Sequence, residues 1–114
     1  MVIAFLRPSP LHPMFRVIPG IGGGYYNGYV GYKRKETPDV DVHGGITFDE
    51  HFFFANKNEY LIPLTAIPEP EELKEYHIIG FDTLHSGDTA DEWTFEKTKE
   101  ETLRLKKQLE DLGY

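Results

Sequence analysis

The spacing of apolar and polar positions along this chain changes several times, and each change marks a predicted element. Val2-Ile3-Ala4-Phe5-Leu6 is an unbroken apolar run closed by Arg7-Pro8, which predicts a short strand, buried or at an edge. Pro8, Pro10 and Pro13 then impose an extended, irregular path, because each Pro fixes its own φ and turns its predecessor away from helix. Phe15-Arg16-Val17-Ile18 predicts a second short strand, stopped by Pro19-Gly20. Asn27-Gly28 is a type I′ hairpin signal, with Tyr25-Tyr26 and Tyr29-Val30-Gly31-Tyr32 as its arms. Gly31 inside the second arm implies a bulge or a close backbone approach. Val40-Asp41-Val42-His43 alternates apolar and polar, so it predicts a half-buried strand with Asp41 and His43 on one face. Gly44-Gly45 turns the chain, and Ile46-Thr47-Phe48 resumes an extended run.

The second half is clearer. Further apolar runs at 52–54 and 60–62 flank a polar turn at 56–59. Pro63, Pro68 and Pro70 mark a surface loop, and residues 71–76 allow one helical turn behind the last of them. His77-Ile78-Ile79-Gly80-Phe81 predicts a central strand, since adjacent apolar residues imply cover on both faces. Thr89-Ala90-Asp91-Glu92 fits a capping box, with Thr89 as N-cap and Glu92 reaching back. Phe95, Thr98, Thr102, Leu105, Leu109 and Leu112 then step by threes and fours along one helical face, and Gly113 is placed to end the helix. The expected fold is one α+β domain: a mostly antiparallel, twisted sheet with one long C-terminal helix packed on a face.

Composition narrows the function classes. A chain of 114 residues suffices for one modest core. A net charge of −7 disfavours nucleic-acid binding, where affinity comes from Lys and Arg displacing counterions. Lys33-Arg34-Lys35 is the one basic cluster and reads as a solvated turn. The absence of cysteine excludes disulfides, thiolate catalysis and Cys-based zinc sites. No apolar run approaches the roughly 20 residues of a bilayer span, and residues 1–8 lack the basic start of a signal peptide, so the expected setting is the cytoplasm.

Candidate chemistry collects in two loops, 41–47 and 82–88. Each follows an apolar run and carries acid, His and Gly. The candidate ligand-binding residues are Asp41, His43, Gly44, Gly45, Thr47, Asp82, His85 and Asp88. His43, Asp82, His85 and Asp88 are also oxygen and nitrogen ligands suited to a divalent metal. A carboxylate beside an imidazole is equally the pair of general acid–base catalysis. The glycines allow a ligand or another backbone to come close. Each residue also has a plainer reading. Asp88 can sit at a helix entrance, Asp82 can hold a turn, and His43 can bond Asp41 or a backbone carbonyl. The glycine-rich Gly20-Ile21-Gly22-Gly23-Gly24 is a weak phosphate signal, because strand formers rather than a helix follow it. Ser86 beside His85 is poorly placed for a nucleophilic relay. The tyrosines at 25, 26, 29 and 32 read as core or cross-strand residues rather than a stacking surface.

Asn27-Gly28-Tyr29-Val30-Gly31, His43-Gly44-Gly45-Ile46-Thr47-Phe48 and Ile79-Gly80-Phe81-Asp82-Thr83-Leu84-His85-Ser86-Gly87-Asp88 occur in this order ahead of a C-terminal helix. In that respect the chain resembles a group of small uncharacterised proteins of bacteriophages, prophages and bacteria. The resemblance runs from about Asn27 to the end and is most specific in the two His-containing loops. That group often carries tryptophans before the Gly-Phe-Asp and a cysteine after the Asp, where this chain has Tyr76-His77-Ile78-Ile79 and Thr83. The resemblance implies a bacterial host and a site at His43 and His85, and it supplies no reaction. Three functions follow as expectations. One is a module that binds a small ligand, such as a nucleotide, or a metal. The second is a small metal-dependent hydrolase using His43, Asp82, His85 and Asp88. The third is a structural or protein-interaction domain.

Overall fold

Strands that carry apolar residues on both sides need cover on both sides, and that need organises the architecture. The structure, a computed structural model, describes residues 1–8, 25–50, 61–83, 88 and 91–114. Within them the chain runs β1 (Ile3–Pro8), β2 (Tyr26–Tyr32), β3 (Phe48–Glu50), β4 (Ile62–Pro63), α1 (Pro70–Leu73), β5 (His77–Phe81) and α2 (Phe95–Asp111). The strands form a five-stranded sheet in the order β3-β5-β2-β1-β4, with every pairing antiparallel. The fold is therefore α+β, with the long C-terminal helix against the sheet. The anticipated strand at 15–18, the glycine-rich segment at 20–24, and the stretches at 52–54 and 56–59 lie outside the described residues. No helix among the described residues is long and apolar enough to cross a membrane.

Side chains alternate between two cores, as the pleat requires. Val2, Ala4, Val30, Tyr32, Ile79 and Phe81 face α2, where Leu105 and Leu109 meet them, with Trp93 from just ahead of the helix. Ile3, Phe5, Tyr29 and Ile78 face the other way, against Leu73 of α1 and Tyr76. Tyr29 stacks on Phe5 and takes Phe48 edge-on, so the expectation that strand tyrosines serve the core holds at Tyr29 and Tyr32. Two of the positions that α2 buries are Thr98 and Thr102. Each hydroxyl donates to the carbonyl four residues back, at 2.9 and 2.7 Å, so its polarity is satisfied within the helix.

Three local expectations are corrected. Asn27-Gly28 makes no hairpin: both lie inside β2, which is paired without a break to β1 on one side and β5 on the other. Glycine is needed at 28 for space, since a methyl group there would overlap Thr102 Oγ1 and lie 2.5 Å from Phe81 Cε1. The helix also begins later than the capping box at Thr89 implies. Thr94 is the N-cap, its Oγ1 accepting Lys97 N–H at 3.2 Å, and Glu92 lies before the helix and pairs with Lys97. Trp93 is buried in the core, which turns the chain ahead of the helix. Finally, residues 40–43 alternate in burial but form no strand. The backbones of Asp41 and His43 bond side chains of α2 instead. The far end of α2 follows expectation: Gly113 has φ 87°, and Tyr114 N–H closes onto Leu109 O at 3.0 Å.

The basic cluster braces the molecule. Lys33 pairs with Glu72 at 3.3 Å, and Arg34 lies over the Tyr114 ring and donates to Gly113 O at 3.0 Å. Beside it, the edge strand β3 is tied down by a polar chain. His77, buried on β5, binds Asp49 of β3 through Nε2, and Thr37 Oγ1 donates to the other oxygen of Asp49 at 2.5 Å. Tyr32 donates to Glu36 O at 2.8 Å, with its oxygen 3.4 Å from His77 Nδ1. The Thr37 hydroxyl, with His77 adding to it, holds the Asp49 carboxyl below the usual range against partial burial. A carboxyl depressed in the folded state stabilises the fold above its unfolded pKa of about 4 and stops doing so as acid protonates it. Asp49→Asn should therefore be less stable than the wild type at pH 7, with the gap narrowing as pH falls below about 4. Urea midpoints at several pH values measure the gap, and a gap independent of pH would sink this account.

Candidate functional site

The site is assembled from a loop that the core anchors chiefly at one buried residue, with Val40 and Ile46 packed beside it. Val42 is buried against the α2 face of the sheet, which leaves Asp41 exposed and His43 half-buried on either side of it. Gly44 and Gly45 follow with φ 69° and 81°, and Gly45 N–H closes a turn onto Val42 O at 2.9 Å. These positive φ values are where glycine is favoured. Thr47 N–H then donates to Gly80 O at 2.9 Å, tying the end of the loop to β5.

His43 is met from the other loop by Asp88. Its Nε2 lies 3.0 and 2.9 Å from the two oxygens of Asp88, so one N–H is shared across the carboxylate. The Asp88 side chain is only 8% exposed, while that of His43 is 26% exposed. The ring of His43 rests on Trp93, with centroids 4.1 Å apart, and Lys97 covers Trp93 at 4.8 Å. Asp88 thus serves His43, not the helix entrance, since α2 begins seven residues further on. A carboxylate that grips an imidazole fixes which nitrogen carries the proton and where the ring points, as binding or proton transfer requires.

The backbone of this loop is held by α2. Glu101 Oε2 accepts His43 N–H at 2.8 Å. Gln108 both accepts Asp41 N–H at 2.8 Å and donates to Asp41 O at 2.6 Å, as a neighbouring strand would. Arg104 grips Glu101 through Nε at 2.7 Å and Nη2 at 3.0 Å, and donates to Asp41 O at 3.0 Å. Hydrogen bonding and charge from Arg104, aided by His43 N–H, keep the Glu101 carboxyl below its ordinary range.

The predicted residues divide as follows. His43 and Asp88 come together. Asp41 contributes its backbone, with its carboxylate 3.5 Å from Arg104. Gly44 and Gly45 are exposed, and a Cβ at Gly45 would meet nothing within 4 Å among the described residues. Asp82 is half-buried after β5, and its charge adds slightly to the effect of burial in raising the Tyr29 phenol pKa. His85 lies outside the described residues. Among the described residues, no group of three His, Asp or Glu side chains is placed to hold a metal. Sequence reasoning missed Trp93 and Glu101. The lone tryptophan just ahead of the helical stripe was a signal for the first. The 101, 104, 108 spacing beside that stripe was a signal for the second.

No protein-family model matches the chain, and neither does any curated protein or solved structure.

Proposed function

We propose that this protein is a small-ligand-binding module whose ligand is held where the 41–47 and 82–88 loops meet, with His43 as the recognition group. The observation that carries this reading is the His43–Asp88 pair. A half-exposed imidazole gripped by a nearly buried carboxylate, and backed by the only tryptophan, presents one oriented polar group beside an open glycine turn. The candidate occupants are a small organic molecule, nucleotides included, or a divalent metal completed by residues of the 82–88 loop. The resemblance to phage- and prophage-associated proteins supports the cytoplasm of a bacterial host as the setting.

A second reading, a small hydrolase, draws on the same pair, because an imidazole oriented by a carboxylate is a general base. In its metal-dependent form it would use His43, Asp82, His85 and Asp88.

Native mass spectrometry and elemental analysis of the untagged protein test the first reading, with the protein incubated in host-cell extract. The expected result is a retained mass or a stoichiometric metal, lost in His43→Ala and in Asp88→Ala while both variants stay folded. A bare wild-type mass, or retention that both variants share, would overturn the reading and leave the protein-interaction alternative.

A further inference from the structure

We propose that Glu101 is the positioning residue for His43, and that α2 sets the geometry of the loop by standing in for a missing strand. This rests on the ligand-binding reading for its purpose, though not for its geometry.

Among the described residues, 41–43 pair with no strand of the sheet. A segment with no neighbouring strand must find other partners for its N–H and C=O groups, in side chains, turns or solvent. Here the partners are side chains. Gln108 supplies both a donor and an acceptor to the peptide groups of Asp41, at 2.6 and 2.8 Å. Glu101 supplies an acceptor to His43 N–H at 2.8 Å. Glu101 and Gln108 lie seven residues, roughly 10 Å, apart along α2, and their long side chains reach back to the loop. Arg104 sits between the two and holds both Glu101 oxygens and Asp41 O, which leaves Glu101 little freedom.

His43 is thereby restrained from three directions. Glu101 holds its backbone, Asp88 holds its ring nitrogen, and Trp93 supports its ring face. Asp88 and Trp93 act on the ring itself. Glu101 acts on the peptide, which sets the direction of the Cα–Cβ bond and therefore whether the ring reaches Asp88 at all. The His43 charge also acts on Glu101, but the hydrogen bond that Glu101 makes is to the His43 peptide. Its effect passes through His43.

The test reads the His43 ring directly and needs no ligand. Each variant is treated with diethyl pyrocarbonate, which acylates imidazole nitrogens, and the rate at His43 is followed by peptide mass spectrometry. Imidazole nitrogen resonances report the proton position in parallel. Glu101→Ala should acylate His43 about fivefold faster, the factor expected from losing one hydrogen bond, and move its nitrogen resonances toward those of an unrestrained histidine. Glu101→Gln keeps an acceptor oxygen and should return both readouts most of the way to the wild type. Gln108→Ala removes the neighbouring clamp and should lower stability with less than a twofold change at His43.

Unchanged His43 readouts in Glu101→Ala, whatever its melting temperature, would overturn the proposal and leave Glu101 a purely structural residue. Equal changes in Glu101→Ala and Gln108→Ala, with no recovery in Glu101→Gln, would also overturn it, because general loosening of the loop would then explain both. The binding reading fails separately, if His43→Ala leaves the retained mass unchanged, whatever the acylation rates.

Discussion

Gly28→Ala is expected to destabilise the fold by about 3 kcal/mol, the upper end of what overpacking costs. The added methyl would overlap Thr102 Oγ1 and lie 2.5 Å from Phe81 Cε1 and 2.8 Å from Phe81 Cζ. Neither neighbour can retreat cheaply. Phe81 is buried in a strand paired to β2, and the Thr102 hydroxyl is bonded to Thr98 O at 2.7 Å on the buried face of α2. The helix must therefore lift from the sheet, which also loosens the contacts of Leu105 and Leu109. Thr102→Ala alone should cost little, because the hydroxyl it removes is satisfied inside the helix. Combined with Gly28→Ala it should recover part of the loss, by about 1 kcal/mol, since the two sites share one volume. Denaturant midpoints of the single and double variants measure this. A Gly28→Ala protein that unfolds at the wild-type midpoint would show that α2 does not rest on β2 there.

Trp93→Ala should cost about 4 kcal/mol, as removal of a large buried aromatic does. Trp93 is 5% exposed and packs between Phe81 and His43. Its loss leaves a cavity under the site as well as in the core. Trp93→Phe keeps an aromatic face and should cost less than half as much. Circular dichroism, rather than fluorescence, must follow unfolding, because the variants have no tryptophan. The His43 ring loses its support in Trp93→Ala and rests on a smaller ring in Trp93→Phe, so ligand retention should fall further than stability alone explains in Trp93→Phe. Wild-type stability in Trp93→Ala would contradict the packing described, and wild-type retention in Trp93→Phe would separate Trp93 from the site.

Much of the fold was legible in the sequence, for a common reason. The apolar run of β1, the two-sided β5 and the 3–4 stripe of α2 are periodic over enough residues that no local conflict overrides them. Gly113 was legible because a helix end needs one residue with positive φ and no Cβ. The candidate site was legible as types of residue: an acid, a His and glycines after an apolar run. That His43 pairs with Asp88 rather than with Asp41 was not legible, since the partners lie 45 residues apart.

The sequence by itself determined the α+β class, strands β1 and β5 and the buried face of α2 from Thr98 to Leu109, because each follows from periodicity within one segment; Leu112, placed on that face by its spacing, is exposed past the end of the helix. Tertiary structure alone decided the rest. Asn27-Gly28 carries a turn signal, yet ladders on both sides and the close approach of Thr102 hold it in a strand, and long-range pairing outweighs a local preference of a kcal/mol or so. The residue types at 89–92 carry a capping signal, yet burying Trp93 is worth more than an early cap, and the helix begins behind Thr94. Residues 40–43 have the alternation of a strand, but alternation specifies only which side chains are buried. What the backbone binds depends on which element arrives beside it, and here α2 arrives with Glu101, Arg104 and Gln108.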